Sequence, residues 1–268
     1  MRHNQAETSS PKNSMRTLIL FCIIVFCVLF VALSFRILTL MNEARFHGEH
    51  IFFVTIESSN QREIAAIDTL GKKVTVISVK PQIASNDLKT FLGVFSEGRI
   101  KTSSESYSVD RVLSNLLFKK GNISSNLSLY DEFIIWRLSR GMGEDGIKKV
   151  EIVKESSEDE IDRELQEVLV DKVISDENKT IGIINSSGVP GQGRRLERAF
   201  ENVGGNVISV ENGESLQKMS SISYYGEKTK TVERLEKIIG TISTKRERQD
   251  LSDIIVTLGT DTKESVVF

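Results

Sequence analysis

The stretch Ile184 to Leu196, INSSGVPGQGRRL, joins an apolar run to a helical pattern. It carries Gly188, Gly191 and Gly193, then Arg194, Arg195 and, one turn on, Arg198. Glycine loops that open a helix can cradle phosphates, because bare backbone amides at a helix N-terminus attract anions. Two nucleotide patterns can be tested here. A dinucleotide fingerprint needs G-x-G-x-x-G with the close pair first, and this loop has the reverse order. A P-loop needs Lys and then Ser or Thr after its last glycine; Arg194 and Arg195 stand there instead, and Pro190 deletes an amide donor. No nucleotide or other cofactor is therefore expected. Two readings remain. In one the loop is a turn: Gly188 and Gly191 supply positive φ, Pro190 fixes a bend and Gly193 admits close helix–strand packing. In the other, Arg194, Arg195 and Arg198 add charge to the helix N-terminus and hold an anion.

Other residues with chemical potential are few. Both cysteines, Cys22 and Cys27, lie in an apolar run, so the remainder has no disulfide, thiolate nucleophile or thiolate metal ligand. His47 and His50 could share a helix face, but no third ligand is near, and a surface pair is the simpler reading. The acids between Glu155 and Lys179 read as a solvated helix face. No metal site is expected. A formal net charge of −2 gives no basic excess for nucleic acid.

The elements around the loop follow from patterning. Thr17 to Phe35 has no charged residue over 19 positions. At ~1.5 Å per residue it covers roughly 30 Å, the thickness of a hydrocarbon core. Arg2, Lys12 and Arg16 precede it against Glu7, a bias that keeps the N-terminus in the cytoplasm and exports the rest. Ala32-Leu33-Ser34 resembles a signal cleavage site, yet the run exceeds the ~7–15 residues of a usual signal core. The expectation is a polar tail over 1–16 and an uncleaved single-pass helix over 17–38. Anions outside such a membrane would be lipid phosphates or wall polymers.

Beyond it, Ile51 to Ile56 reads as a strand, and Glu63 to Asp68 with Lys73 to Val79 as a hairpin turning at Gly71. In its second arm Val74 and Val76 alternate, then Ile77 and Val79 after a shift, which predicts one buried side and one partly buried. Residues 82–106 give no clear signal. Ser108 to Phe118 and Ser128 to Gly141 are helical patterns, with Ser108 as an N-cap, Ser128 and Asp131 at capping-box spacing and Gly141 at the stop. The stripe Leu129, Phe133, Trp136 reads as core. Ile147 to Val153 is a strand. Glu155 to Lys179 is an amphipathic helix capped by Ser157, placed at a junction. The last ninety residues read β-α-β-β-α-β: Thr180–Asn185, Arg194–Gly205, Asn206–Asn212, Ser220–Gly226, Lys230–Gly240, Asp253–Gly259. That order makes a two-layer α/β sandwich.

The stretch IGIINSSGVPGQGRRLERAFENVGGNVISV resembles the C-terminal domain of LytR-CpsA-Psr envelope proteins. That domain has a strand ending in Asn, a Gly-x-Pro-Gly loop, a helix and a Gly-ended turn; here these are Asn185, Gly188, Pro190, Gly191 and Gly204. The resemblance covers residues 179–261. REIAAIDTLGKKVTVISV is similar to the hairpin of the family's catalytic domain, so 47–154 looks like a shortened, degenerate version of it. The resemblance implies enzymes that move wall glycopolymers from a polyprenyl-pyrophosphate carrier to peptidoglycan, with acids for Mg²⁺ and arginines for pyrophosphate. This chain departs at those motifs. Ser78-Val79-Lys80-Pro81-Gln82 stands in place of Ser-Ile-Pro-Arg-Asp, and Gln61, Arg62 and Glu63 lie where Arg-Ser-Asp-Thr would precede the first arm. No catalytic residue is carried over.

The expectation is a mixed α/β (α+β) protein: a transmembrane helix, a degenerate α/β domain over 47–154, a helical linker over 155–178 and the sandwich over 179–268. Its expected role is a non-catalytic binding or scaffolding module of a bacterial cell envelope, contacting wall polymer, anionic lipid or other envelope proteins. The alternative is a glycopolymer phosphotransferase. A transcriptional regulator is a third reading and needs the folded part inside the cell.

Overall fold

A computed structural model describes residues 11–264 except 47, 84, 106, 120–121 and 143–145. His3, His47 and the first ten residues of the expected tail lie outside the described residues. The chain divides into two units, Met1–Ala44 and Arg45–Phe268.

The described part of the first unit holds one helix, α1 (Pro11–Glu43). It contains a span, Met15–Leu40, with mean hydropathy 3.2, long and apolar enough to cross a membrane. Cys22 and Cys27 are exposed on it.

The second unit starts with β1 (Phe52–Glu57), β2 (Arg62–Asp68) and β3 (Lys73–Lys80). These pair antiparallel in sequence order, and the hairpin closes at Asp68 opposite Lys73, where the Gly71 amide donates to the Asp68 carboxylate. Helix α2 (Ser85–Leu92) leads to β4 (Gly98–Thr102), parallel to β1. Next come α3 (Val109–Asn115), the short β5 (Ile123–Ser125), α4 (Leu129–Gly141) and β6 (Ile147–Val153), which runs parallel to β3. The sheet order is β5-β4-β1-β2-β3-β6. Neither α2, β4 nor β5 is signalled by periodicity, since each is short or polar. Ser108 does occupy the N-cap of α3, but its hydroxyl bonds the Asp110 carboxylate and not a backbone amide. The capping box of α4 forms as the spacing predicts, with Ser128 and Asp131 each accepting from the other's amide.

The shifted alternation of β3 has a structural cause. Val74 and Val76 enter one apolar cluster with Phe52, Val54 and Ile56, beneath α3 and α4. Ile77 and Val79 enter another with Phe53, Ile64 and Ala66. The sheet is buried on both faces in its centre, so the expectation of one partly buried side is corrected.

That second cluster continues into the remainder of the chain. Helices α5 (Glu158–Leu169) and α6 (Lys172–Glu177) supply Ile161, Leu165, Leu169 and Ile174 to it. Then follow β7 (Thr180–Asn185), α7 (Gln192–Glu201), β8 (Asn206–Asn212), β9 (Ser221–Tyr225), α8 (Lys230–Ile239), β10 (Ser243–Arg246) and β11 (Ile254–Leu258). A 3₁₀ turn, Thr260–Glu264, ends the described chain. The second sheet is ordered β10-β9-β11-β7-β8, parallel except between β9 and β11. The mixed α/β class holds, and the second sheet has one strand, β10, more than expected. The polar sequence of β10 hid it, because an edge strand can be half-exposed along its length.

Aromatic and polar contacts join the two sheets. Phe95 lies edge-on between Phe53 of β1 and Phe200 of α7, at 6.3 and 6.1 Å. Glu97, buried, accepts from the Phe53 amide at 3.1 Å and pairs through both oxygens with Arg234 of α8, at 2.5 and 2.8 Å. The same guanidinium donates to the Ile51 carbonyl at 2.9 Å. Each member of this buried pair therefore has several partners, which offsets the cost of desolvation.

Candidate functional site

The loop between β7 and α7 is built from its own hydrogen bonds. The Asn185 amide side chain donates to the Val189 carbonyl at 2.9 Å. Its oxygen accepts from the Ser187 hydroxyl at 2.6 Å and the Ser187 amide at 3.3 Å. The Ser187 hydroxyl in turn accepts from the Val189 amide at 3.0 Å. Asn185, Ser186 and Ser187 are all buried, so this network locks the turn from inside. Gly188 and Gly191 have φ of +72° and +75°, the left-handed region in which a side chain is strained. A Cβ on Gly193 would meet Val210 of β8 at 2.9 Å, so its bare Cα sets the approach of α7 to the sheet. Pro190 sits exposed at the bend.

The carboxyl ends of parallel strands are where open α/β sheets usually receive ligands. Here that edge is filled by the chain itself. After β11 the 3₁₀ turn folds back, and the buried Gln192 side chain donates to the Thr262 carbonyl at 3.2 Å. Asp261 accepts from the Ser220 amide and hydroxyl.

The three arginines project to the other side of α7, where a cleft of about 470 Å³ opens between α7, the first turns of α5 and the end of α2. Arg194, Arg195 and Arg198 all line it, with Lys89 as a fourth cation. Five carboxylates line it too: Glu158, Asp159, Asp162, Glu197 and Glu201. Arg198 is held on all sides. Its Nε sits 2.8 and 2.9 Å from the two Asp162 oxygens, and its terminal nitrogens donate to the carbonyls of Thr90 and Phe91 at 3.1 Å. Gly93 makes room for this side chain, since a Cβ there would come within 3 Å of it. Buried Asn202 completes the knot, donating to the Gly93 carbonyl at 2.9 Å and to Asp162 at 3.0 Å. Arg198 is thus a strut between α7, α5 and α2. Arg194 is exposed and Arg195 half-buried on the same wall.

Titration in the cleft follows from crowding. Burial, with Arg99 nearby, pulls the Lys89 ammonium down to about 8. Burial, helped by Glu197 and Asp162, pushes the Glu201 carboxyl up. The mixed lining presents donors beside acceptors. Such a wall suits a ligand carrying hydroxyls as well as an anionic group better than a bare polyanion, because carboxylates accept from hydroxyls while guanidinium groups donate to phosphate.

The other residues singled out in the sequence lie elsewhere. Lys80 pairs with Glu151 at 2.5 Å on the surface, and Arg62 donates to the Ile83 carbonyl at 3.3 Å. His50, almost buried, bonds Asp171 at 2.9 Å. No cluster of three potential metal ligands occurs among the described residues. Periodicity gave no sign of Asp162 and Asn202, whose role is visible only once α5 and α7 are side by side.

Residues 178–262 match the family described as LytR cell envelope-related transcriptional attenuator. The match starts at Asn178, the C-cap of α6, and runs through β11 into the 3₁₀ turn, so the part of the chain similar to that family is the second sheet with α7 and α8. It does not reach the first sheet. No curated protein and no solved structure matches the chain.

Proposed function

We propose that this is a membrane-anchored cell-envelope protein, with its N-terminus in the cytoplasm and the unit from Arg45 onward outside. There it acts as a non-catalytic binding module in wall assembly or maintenance, and the ligand is an anionic wall glycopolymer held in the α7 cleft. The family match supports the envelope assignment, and the Met15–Leu40 span supports the anchor. The observation that carries the ligand class is the cleft, in which Arg194 and Arg195 face a space also lined by carboxylates. Arg194 and Arg195 would contact the polymer's anionic groups, and Arg198 would hold the wall in shape.

The test is co-sedimentation of the full-length, detergent-solubilised protein with purified wall polymer. An Arg194→Ser, Arg195→Ser double variant should bind about tenfold more weakly, since each charge-assisted contact contributes about 1.5–3 kcal/mol in favourable settings and less at a wet surface. Unchanged binding at the same ionic strength would remove the cleft from the proposal. A C-terminal reporter active only in the cytoplasm would overturn the orientation.

A further inference from the structure

Helix α4 turns an apolar, cationic face away from the core. Leu129 and Phe133 are 54% and 41% exposed, and Phe118, in the turn after α3, is 57% exposed. Of the stripe expected to be core, Leu129 and Phe133 are therefore exposed and Trp136 is half-buried beneath them, because Ile135, and not Phe133, is the apolar α4 residue buried against the sheet. Trp136 stands edge-on to Phe118 at 5.7 Å and beside Phe133 at 5.9 Å. The Arg140 guanidinium lies 4.7 Å over the Trp136 ring. Arg137 and Arg140 are exposed along the same helix, and Lys119 adds charge at the rim, where it reaches Glu132. Aromatic rings fringed by arginines are the composition of segments that lie at the boundary of headgroups and acyl chains, where the rings leave water and the cations meet anionic lipid.

A separate observation points to a bilayer as the occupant. Asp131, in the first turn of α4, accepts from the amides of Phe46 at 3.0 Å and Arg45 at 3.3 Å. Arg45 stands five positions after Leu40, the last residue of the apolar span. Five residues reach at most ~18 Å when fully extended. The start of α4 is thus fastened to a short tether.

We propose that the α4 face rests on the surface of the membrane that α1 enters, with Phe118, Phe133 and Trp136 among the lipid headgroups and Arg137 and Arg140 on anionic ones. This rests on the reading of α1 as an anchor. Trp136 is the sole tryptophan of the chain, so its fluorescence reports on this face alone. The full-length protein is reconstituted into phosphatidylglycerol–phosphatidylcholine vesicles whose acyl chains are brominated near the headgroup. Trp136 emission should lose about half its intensity relative to unbrominated vesicles, and the loss should shrink with Arg137→Ser, Arg140→Ser or with phosphatidylcholine alone. Resistance to carbonate extraction reads the anchor independently. Unquenched Trp136 in a carbonate-resistant protein overturns the α4 proposal and leaves the anchor standing. Quenching in a carbonate-extractable protein supports the face and removes the anchor. Protein that fails to float with vesicles overturns both. A blue-shifted emission insensitive to bromine shows the face covered by protein, a second copy included, and also overturns it.

Discussion

The two sheets of the folded unit solve the same problem differently. The central strands of the first are buried on both faces, since α3 and α4 cover one side and α2, α5 and the second half of the chain cover the other. The second sheet buries one face against its helices and leaves much of β8, β9 and β10 half-exposed. A sheet covered twice is a scaffold, whose sequence is constrained by packing at nearly every position. A sheet covered once keeps a surface for contact, and it is this half that matches the envelope family. The α7 cleft lies on the covered side, where α7 of the second half meets α5 and the end of α2.

If the halves form one cooperative structure, the largest effect should come from their shared ion pair. Arg234→Met leaves Glu97 buried without its guanidinium and should cost about 3–5 kcal/mol in urea unfolding of the full-length protein. A loss under about 1 kcal/mol, or two separate transitions, would break the picture of coupled sheets. Asp171 comes next. Burial pushes its carboxyl up, but the bonds from His50 and from the Ile51 and Ile174 amides outweigh that and hold it below the usual carboxylate range. The stabilisation is therefore complete at neutral pH and is lost as acid carries the solution through that lowered value. Asp171→Ala should cost about 2 kcal/mol at pH 7 and flatten the acid limb of the stability curve; an unchanged limb would exclude this group as its source. Gly193→Val should cost about 1–3 kcal/mol by pressing on Val210, confined to the second half. Lys80→Ala should change stability by less than about 0.5 kcal/mol, because its pair with Glu151 is solvent-exposed.

Strong local signals carried most of the fold into view. The β2–β3 hairpin, the capping box at Ser128, the cap at Ser157 and the β7–α7–β8 unit each depend on neighbouring residues, so their patterns survive without knowledge of the whole. What escaped were elements whose reason for existing is tertiary. Strand β4 is GRIKT, with one clear apolar residue, and it forms because β1 offers an open edge. Helix α8 was legible from its apolar spacing, but its capping was not: it lacks a side-chain cap of its own, and Glu177 of α6 accepts from the Lys230 and Thr231 amides instead. Leu129 and Phe133 lie outside the core for a related reason. Helical spacing shows that residues share a face, and only packing shows which way the face turns. At the candidate site, the glycines and the arginine triplet were legible, whereas the pairing of Arg198 with Asp162 required two helices to meet.

The cross-sheet contacts have one further consequence. The exposed turn around Glu155 is the single covalent crossing between the last strand of the first sheet and the first helix after it. Across that crossing run the Glu97–Arg234 pair, the Arg198 bonds to Thr90 and Phe91, and the Phe95–Phe200 contact. A protease nick there would cut the backbone without parting the pieces. The molecule has the makings of a split protein, whose halves, made as separate polypeptides, would find each other through a surface that the intact chain never exposes.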